Sequence, residues 1–495
     1  MSNIRVTYSG LIGLFISFVT TIIGMIFVLI TTRQLSEIEL GTWGLIGSLM
    51  SYVLIIEPII SYWTTRETAR GIKSQKTAIF SSSGFSIVGT IIYLIIVFCI
   101  GNQTNVDINY LYFAAILIPL TFINRTLTAI NLGWKPQAES YSILGLDLVK
   151  TIAAVLLVYI LQLGLEGVII SLFIAQVVSI GILFLNAKEK IVGKIKKEHL
   201  KKWMKFSWIP VYTKFSSLIV FDVLIFSIMV GSVVGIAYWS VSMIIANLSR
   251  ITNQLSRVVY PKLLEGGKKE HLQENLVRTM YFLLPISAVS ITFARPGLFA
   301  LNPIYEHIWM IVIFLTMKAF LRVISKSFTQ GLEGIEKVDF NENSTFLNYA
   351  KSALFKVPTI RLIQRIIYLT SLIIMLIFMK DSGSSELELV VYWSAIVMVV
   401  EIPFTISFLL MVRKKFPFNV DWKSISKYLM STIIVFTGIH LLMEQFLVYN
   451  ESIFEFLPQL IIFLIIGAIF YLSLTYAIDK RTRVLISKVI KEFKK

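Results

Sequence analysis

The chain has 495 residues, 56% of them hydrophobic and only 15% charged, with a mean hydropathy of +0.78. A soluble domain carries about 25% charged residues, so an ordinary soluble enzyme, a disordered protein and a disulfide scaffold are all excluded. The charge is lopsided, with 46 Lys+Arg against 29 Asp+Glu, a net of +17.

A hydrocarbon core about 30 Å thick needs roughly 20 apolar residues at 1.5 Å rise each. That ruler marks about fourteen spans. In chain order they run near 8–31, 40–60, 77–100, 109–131, 141–163, 165–187, 207–231, 234–257, 278–300, 305–328, 362–380, 389–412, 428–446 and 456–478. They read as helices, because lipid offers no partner to an open backbone edge. The first segment is too long for a signal h-region of roughly 7–15 residues. The longest non-membrane stretch, 329–361, mixes apolar and basic residues. It reads either as a connector or as carrying an interfacial helix near Phe346–Lys356.

The loops alternate in charge. One set holds the N-terminus, the connections near 61–76, 132–140, 188–206, 258–277, 326–361 and 413–427, and the tail. It contains about 35 Lys/Arg, whereas the other set contains only Arg33, Arg295 and Lys380. The positive-inside rule then places the basic set and both termini in the cytoplasm. The runs Lys188–Lys205 and Lys480–Lys495 therefore read as topology signals and contacts for anionic headgroups, not as a nucleic-acid surface.

The basic connection at 188–206 splits the chain. The organisation read from it is an N-terminal six-helix bundle (1–187), the linker (188–206), a second six-helix bundle (207–412, with 333–360 cytoplasmic), two added helices (413–478) and a basic tail (479–495). Weak similarity links the halves. Leu40-Gly41-Thr42-Trp43-Gly44-Leu45 and Val234-Gly235-Ile236-Ala237-Tyr238-Trp239 each follow a short outer loop and open a span with Gly, then an aromatic.

The stretch from Thr32-Arg33-Gln34-Leu35-Ser36 through Gly41-Thr42-Trp43-Gly44 resembles the first outer loop of the polysaccharide flippases, with Ser36 where that family has Gly. Thr65-Arg66-Glu67-Thr68-Ala69-Arg70 is similar to their basic stretch after the second span. Val234–Tyr238 followed by Val259-Tyr260-Pro261-Lys262-Leu263 resembles the second-half counterpart. The implied family is the lipid-linked oligosaccharide flippase branch of the multidrug/oligosaccharidyl-lipid/polysaccharide exporter superfamily. The resemblance implies an all-α membrane protein with two six-helix bundles around a central cavity. It also implies transport of polyprenol-linked sugar to the outer leaflet by alternating access. Such a protein is not an enzyme, needs no cofactor, and works beside membrane lipids and glycan assembly enzymes.

Eight basic residues lie at membrane depth: Arg125, Lys150, Lys214, Arg250, Arg257, Lys318, Arg322 and Arg365. An isolated cation at the bilayer centre is unfavourable by roughly 2.5–3.5 kcal/mol on insertion scales. Retaining it requires a partner or a polar cavity. Lys150, Lys214, Lys318 and Arg322 are the leading candidates for binding an anionic headgroup, with Arg125 and Arg250 beside them. Lys318 and Arg322 share a helix face at i,i+4. Lys150 reads alternatively as a bridge to Asp147, and Arg250, Arg257 and Arg365 as side chains that snorkel to the surface. Glu57, Asp222 and Glu401 are the deep acids. Each reads either as a coupling site or, for Glu57 and Glu401, as an acid bonded to a neighbouring helix. His199, His271, His307 and His440 have no metal-ligand spacing, and no phosphate-binding loop for ATP is present. The competing readings are a drug or cation antiporter of the same superfamily and, further off, a membrane glycosyltransferase or polymerase.

Overall fold

The computed structural model describes residues 6–100, 106–135, 137–205, 207, 211–212, 221–252, 269–334, 346–415 and 420–484. Every regular element among them is helical. The chain divides into two compact units, 1–237 and 238–495.

The first unit contains α1 (Val6–Gln34), α2 (Glu37–Val53), α3 (Pro58–Ala69), α4 (Gln75–Ile100), α5 (Ile108–Ala114), α6 (Leu117–Leu132), α7 (Gln137–Ala154), α8 (Gly164–Ala187), α9 (Lys197–Lys205) and α10 (Phe221–Val230). The second unit follows from α11 (Val234–Ala246), which the boundary cuts. It holds α12 (Lys269–Thr292), α13 (Ala294–Leu301), α14 (Trp309–Gly334), α15 (Phe346–Lys351), α16 (Ala353–Asp381), α17 (Glu386–Lys415), α18 (Trp422–Phe446) and α19 (Ile453–Ile478).

Among the described residues ten helices are long and apolar enough to cross a membrane, or up to twelve if each of two bent pairs is one span. The bent pairs, α2–α3 at 63° and α12–α13 at 64°, cover the expected spans 40–60 and 278–300. Pro58 opens α3, where its missing N–H is harmless, so the chain can turn there without losing a helix bond. The expected span 8–31 falls on α1, with the apolar segment 19–34, and of the expected span 207–231 the described apolar helix is α10, 221–230, the residues 213–220 lying outside the described ones. The helices turn apolar side chains such as Phe98, Phe378 and Phe454 outward. That is the pattern for a hydrocarbon solvent, and the chain is a multi-pass membrane protein.

The loop between α1 and α2 is held by local chemistry. Ser36 caps α2: its Oγ accepts from Glu39 N at 3.3 Å, and Glu39 Oε2 accepts from Ser36 N at 3.0 Å. This reciprocal pair fills two of the donors that a helix start leaves open. The other oxygen of Glu39 accepts from Leu165 N at 3.0 Å and so caps α8 as well. Gly164, at φ +53, lies against that carboxylate; a Cβ there would collide with it. Gly41 packs on the carbonyl of Val233, inside the distance any Cβ could tolerate. Gly41, early in α2, is therefore a close-approach residue.

The basic linker contains a packed helix. In α9, Trp203 is fully buried against Ile59, Ile60 and Ala78, and Glu67 pairs with His199 at 3.3 Å and Lys202 at 3.7 Å. The helix expected near 346–356 has different bounds. The six-residue α15 ends at Lys351, and α16 then runs unbroken from Ala353 to Asp381. The span expected from 362 thus begins nine residues earlier. Residues 353–361, expected as connector or, up to 356, as an interfacial helix, carry Lys356, Pro358 and Arg361, which lower the local hydropathy. The helix keeps them by burying Arg361 against α14 and α17.

In the second unit, α12, α18 and α19 share a core around Tyr281, Tyr428, Phe436, Phe456 and Tyr471. Below it, beyond the end of α19, Asp479 accepts from Tyr428 Oη at 2.9 Å and Thr482 N at 3.1 Å, with Lys427 Nζ at 3.5 Å. Burial acts to raise the Asp479 carboxyl, but these donors and the Lys427 charge outweigh it and hold it below the usual carboxylate range.

Two predictions follow from this packing. Gly to Ala in an open helix gains about 1 kcal/mol, and Gly47→Ala, with nothing near its Cβ, should raise thermal stability. Gly41→Ala should lower it; equal gains at both sites would remove the close-approach account. Asp479 stabilises the fold above its unfolded pKa of about 3.9 and loses that contribution as pH falls through its lower folded value. Asp479→Asn should flatten acid unfolding below about pH 4, measured by tryptophan fluorescence against the wild type.

Candidate functional site

Three helix faces of the second unit carry polar groups in register. On α14, Lys318, Arg322 and Ser325 recur at i, i+4 and i+7. On α16, Arg361, Gln364, Arg365 and Tyr368 recur at i, i+3, i+4 and i+7. On α17, Trp393, Glu401 and Thr405 share the buried face. Each stripe is the polar face of an otherwise apolar helix, so lipid favours turning it toward another helix.

Glu401 is the point where they meet, and it is 2% exposed. Its Oε1 accepts from Arg361 Nη1 at 2.8 Å and lies 3.5 Å from Arg322 Nη1. Its Oε2 accepts from Gln364 Nε2 at 2.8 Å. Arg361 Nη1 also donates to Gln364 Oε1 at 2.7 Å, and its Nη2 donates to Ser325 Oγ. The Arg361 guanidinium sits 4.5 Å from the Phe408 ring centre. One carboxylate thus ties α14 and α16 to α17.

More cations gather than Glu401 can balance. Arg365 is 5% exposed and within electrostatic range of Arg322, Glu401 and Arg361. Arg250, in the tight helical turn 247–252, interacts with Arg322 and Glu401 and is exposed. Lys318, one turn from Arg322, is 3% exposed and faces the Trp239 ring at 5.9 Å. Trp239 stacks on Trp393 at 3.9 Å, and Trp393 Nε1 donates to Tyr368 Oη at 2.6 Å. These buried aromatics form the wall that Lys318 faces. Glu333, at the end of α14, interacts with Arg361 and Lys326. Among the described residues, Arg250, Arg322, Arg361 and Arg365 thus share Glu401, with Lys318 one turn away on α14. The cluster grades from exposed Arg250 through Arg322, 26% exposed, to the buried Arg361 and Arg365. Chemically it is a low-dielectric site with surplus positive charge, suited to an anion.

The remaining candidates fall in the first unit. Lys150 bonds Asp147 at 2.7 Å and lies over the Phe27 ring at 4.7 Å. Arg125 is 3.6 Å from the buried Glu57, at the bend before Pro58. Asp222 is buried at the start of α10, where its Oδ1 accepts from Val223 N at 2.8 Å. Lys214 and Arg257 lie outside the described residues. Among the described residues no three His, Cys, Asp or Glu side chains group as a metal site.

Sequence reading paired Lys318 with Arg322 but left out Arg361 and Gln364, and treated Arg365 as a side chain that snorkels to the surface. The structure buries Arg365 instead. The available signal was the Arg-x-x-Gln-Arg-x-x-Tyr spacing, which only becomes a stripe once the helix starts before 361.

No family model matches the sequence, and no curated protein matches it. Solved structures do match the fold. A lipid II flippase, MurJ, in an inward closed conformation aligns at TM-score 0.65 with 14% identity, over 96% of this chain and 100% of that one. A multidrug resistance MATE family transporter of the MOP superfamily, inward-facing, aligns at 0.61 with 13% identity, over 80% and 95%. An outward-facing MATE transporter aligns at 0.53 with 14% identity, over 83% and 94%. The chain shares the fold of these structures. Its fold neighbours are thus transporters rather than enzymes, and they include both a lipid flippase and drug exporters.

Within the second unit, Glu401 is the counter-charge for the cluster. Glu401→Gln leaves the cations unbalanced in low dielectric, which should destabilise the chain by about 3–5 kcal/mol. The check is detergent-solubilised thermal unfolding and membrane abundance. An unaltered Tm in the variant would remove Glu401 as the organising partner.

Proposed function

We propose that this protein is a secondary transporter that flips polyprenyl-(pyro)phosphate-linked oligosaccharide from the cytoplasmic to the outer leaflet by alternating access. It would act in the cell membrane, in surface polysaccharide or glycoconjugate synthesis, with fourteen spans and both termini cytoplasmic. The observation that carries the reading is the surplus of cations around Glu401. A phosphate or diphosphate between lipid and sugar supplies the missing negative charge, and arginine binds it through a two-pronged fork. Surplus buried charge is unfavourable for the empty protein, so its retention points to a ligand that offsets it. The likeness to a lipid II flippase supports the same reading. Lys318, Arg322 and Arg250 are the proposed headgroup contacts in the second unit, with Lys150 and Arg125 as secondary candidates in the first. Glu57 and Asp222 are the proposed coupling acids. Glu401 is tied to two arginines and serves better as their counter-charge.

The likeness to multidrug transporters favours a second reading, export of organic cations. That chemistry calls for surplus acid in the site. Here Glu57 stands beside Arg125 and Glu401 beside Arg322 and Arg361, so the acids are already engaged.

Replacing Lys318 and Arg322 together by Gln should abolish outer-leaflet appearance of the glycolipid while protein abundance is kept, since Arg361 and Gln364 still hold Glu401. Normal surface glycan in the double variant would sink the assignment. Export of organic cations, with no effect on glycan, would favour the antiporter instead.

A further inference from the structure

Arg365 is the most unusual group in the cluster. Its Nε and Nη2 are buried and, among the described residues, have no hydrogen-bond partner. These two nitrogens form the side-on edge of the guanidinium. That edge presents two parallel N–H groups at the spacing of two oxyanion oxygens. A buried edge of this kind, left unfilled, is strongly unfavourable.

The surroundings say what is missing. The nearest acid, Glu401, has Oε1 on Arg361 and Oε2 on Gln364, so neither oxygen serves this edge. Tyr368, one turn along α16, has its hydroxyl engaged by Trp393 Nε1. Arg322 and Arg361 add positive potential without adding an acceptor. The position therefore combines two aligned donors, positive surroundings and, among the described residues, no hydrogen-bonded acceptor.

We infer that the Nε–Nη2 edge of Arg365 is the seat of one phosphate oxyanion of the ligand. This rests on the transport reading above and narrows it to a single residue. In this assignment Glu401, Gln364 and Arg361 are positioning residues, and Arg250 and partly exposed Arg322 attract the anion on its way in. Occupation fills an edge that is otherwise desolvated and unbonded, so binding and stability are linked.

The linkage gives a test that separates ligand binding from a structural role. Purified full-length protein is titrated with geranylgeranyl pyrophosphate and with inorganic pyrophosphate, reading both Kd and Tm. Wild type should bind the prenyl pyrophosphate saturably, with Tm rising. Arg365→Met should weaken binding by roughly tenfold to a hundredfold. Without ligand its Tm should be unchanged or higher, because an unfilled buried charge is gone. Arg365→Lys, which keeps charge and loses the fork, should fall between them. Arg295→Gln, an exposed pair with Glu306, should bind as wild type. Equal binding by wild type and Arg365→Met would overturn the seat and leave the transport reading standing. A Tm loss in unliganded Arg365→Met would also overturn it, marking Arg365 as structural. Equal affinity for inorganic pyrophosphate would keep the seat but remove the lipid from the reading. Binding of neither probe by wild type would overturn both.

Discussion

In hydrocarbon a charged side chain must find its partner inside the protein, because no water reaches it. The second unit is organised around that constraint at Glu401. Three long helices bring polar stripes to one carboxylate, and the carboxylate fixes their rotation. Arg361 contributes most, since its guanidinium bonds Glu401 on α17, Gln364 on its own helix and Ser325 on α14. Non-directional contacts between lipid-like side chains cannot set helix rotation in this way. A fork of hydrogen bonds can, because a small turn of any helix breaks it.

The same constraint gives the cluster its chemical bias. A neutral buried network is self-sufficient, but one with several cations and one well-placed acid is not. The aromatic group Trp239–Trp393–Tyr368 stiffens the neighbourhood by stacking and one hydrogen bond, so the cations cannot easily move apart to relieve repulsion. Elsewhere the chain resolves its buried charges locally. Lys150 takes Asp147, and Glu57 has Arg125. These are pairs rather than clusters, which is why the second unit holds the stronger candidate site.

Helix starts follow a different rule. Glu39 caps two helices at once, and Gly41 and Gly164 leave room for backbone and carboxylate to approach. The stretch from Ser36 to Gly41 that carries part of the family resemblance is therefore structural in this chain. Ser36, which departs from the family's Gly, is accounted for by its capping role.

Most of the helical layout was legible in the sequence, because apolar length and loop charge are one-dimensional properties. Lys318 and Arg322 were legible as a pair for the same reason, since i,i+4 spacing survives in any helix. Arg361 and Gln364 were not, and Arg365 was legible as a membrane-depth cation but not as a buried one. Local hydropathy starts the span too late, and only packing against α14 and α17 makes a helical start at Ala353 favourable. Sequence also could not say that Glu401 would be shared by arginines from two other helices, 40 and 79 residues away along the chain. Composition and periodicity determined that this is a multi-pass helical protein with cations in its spans. Tertiary structure decided which of those cations share one acid, because that depends on helix rotation and contact, and neither is written along the chain.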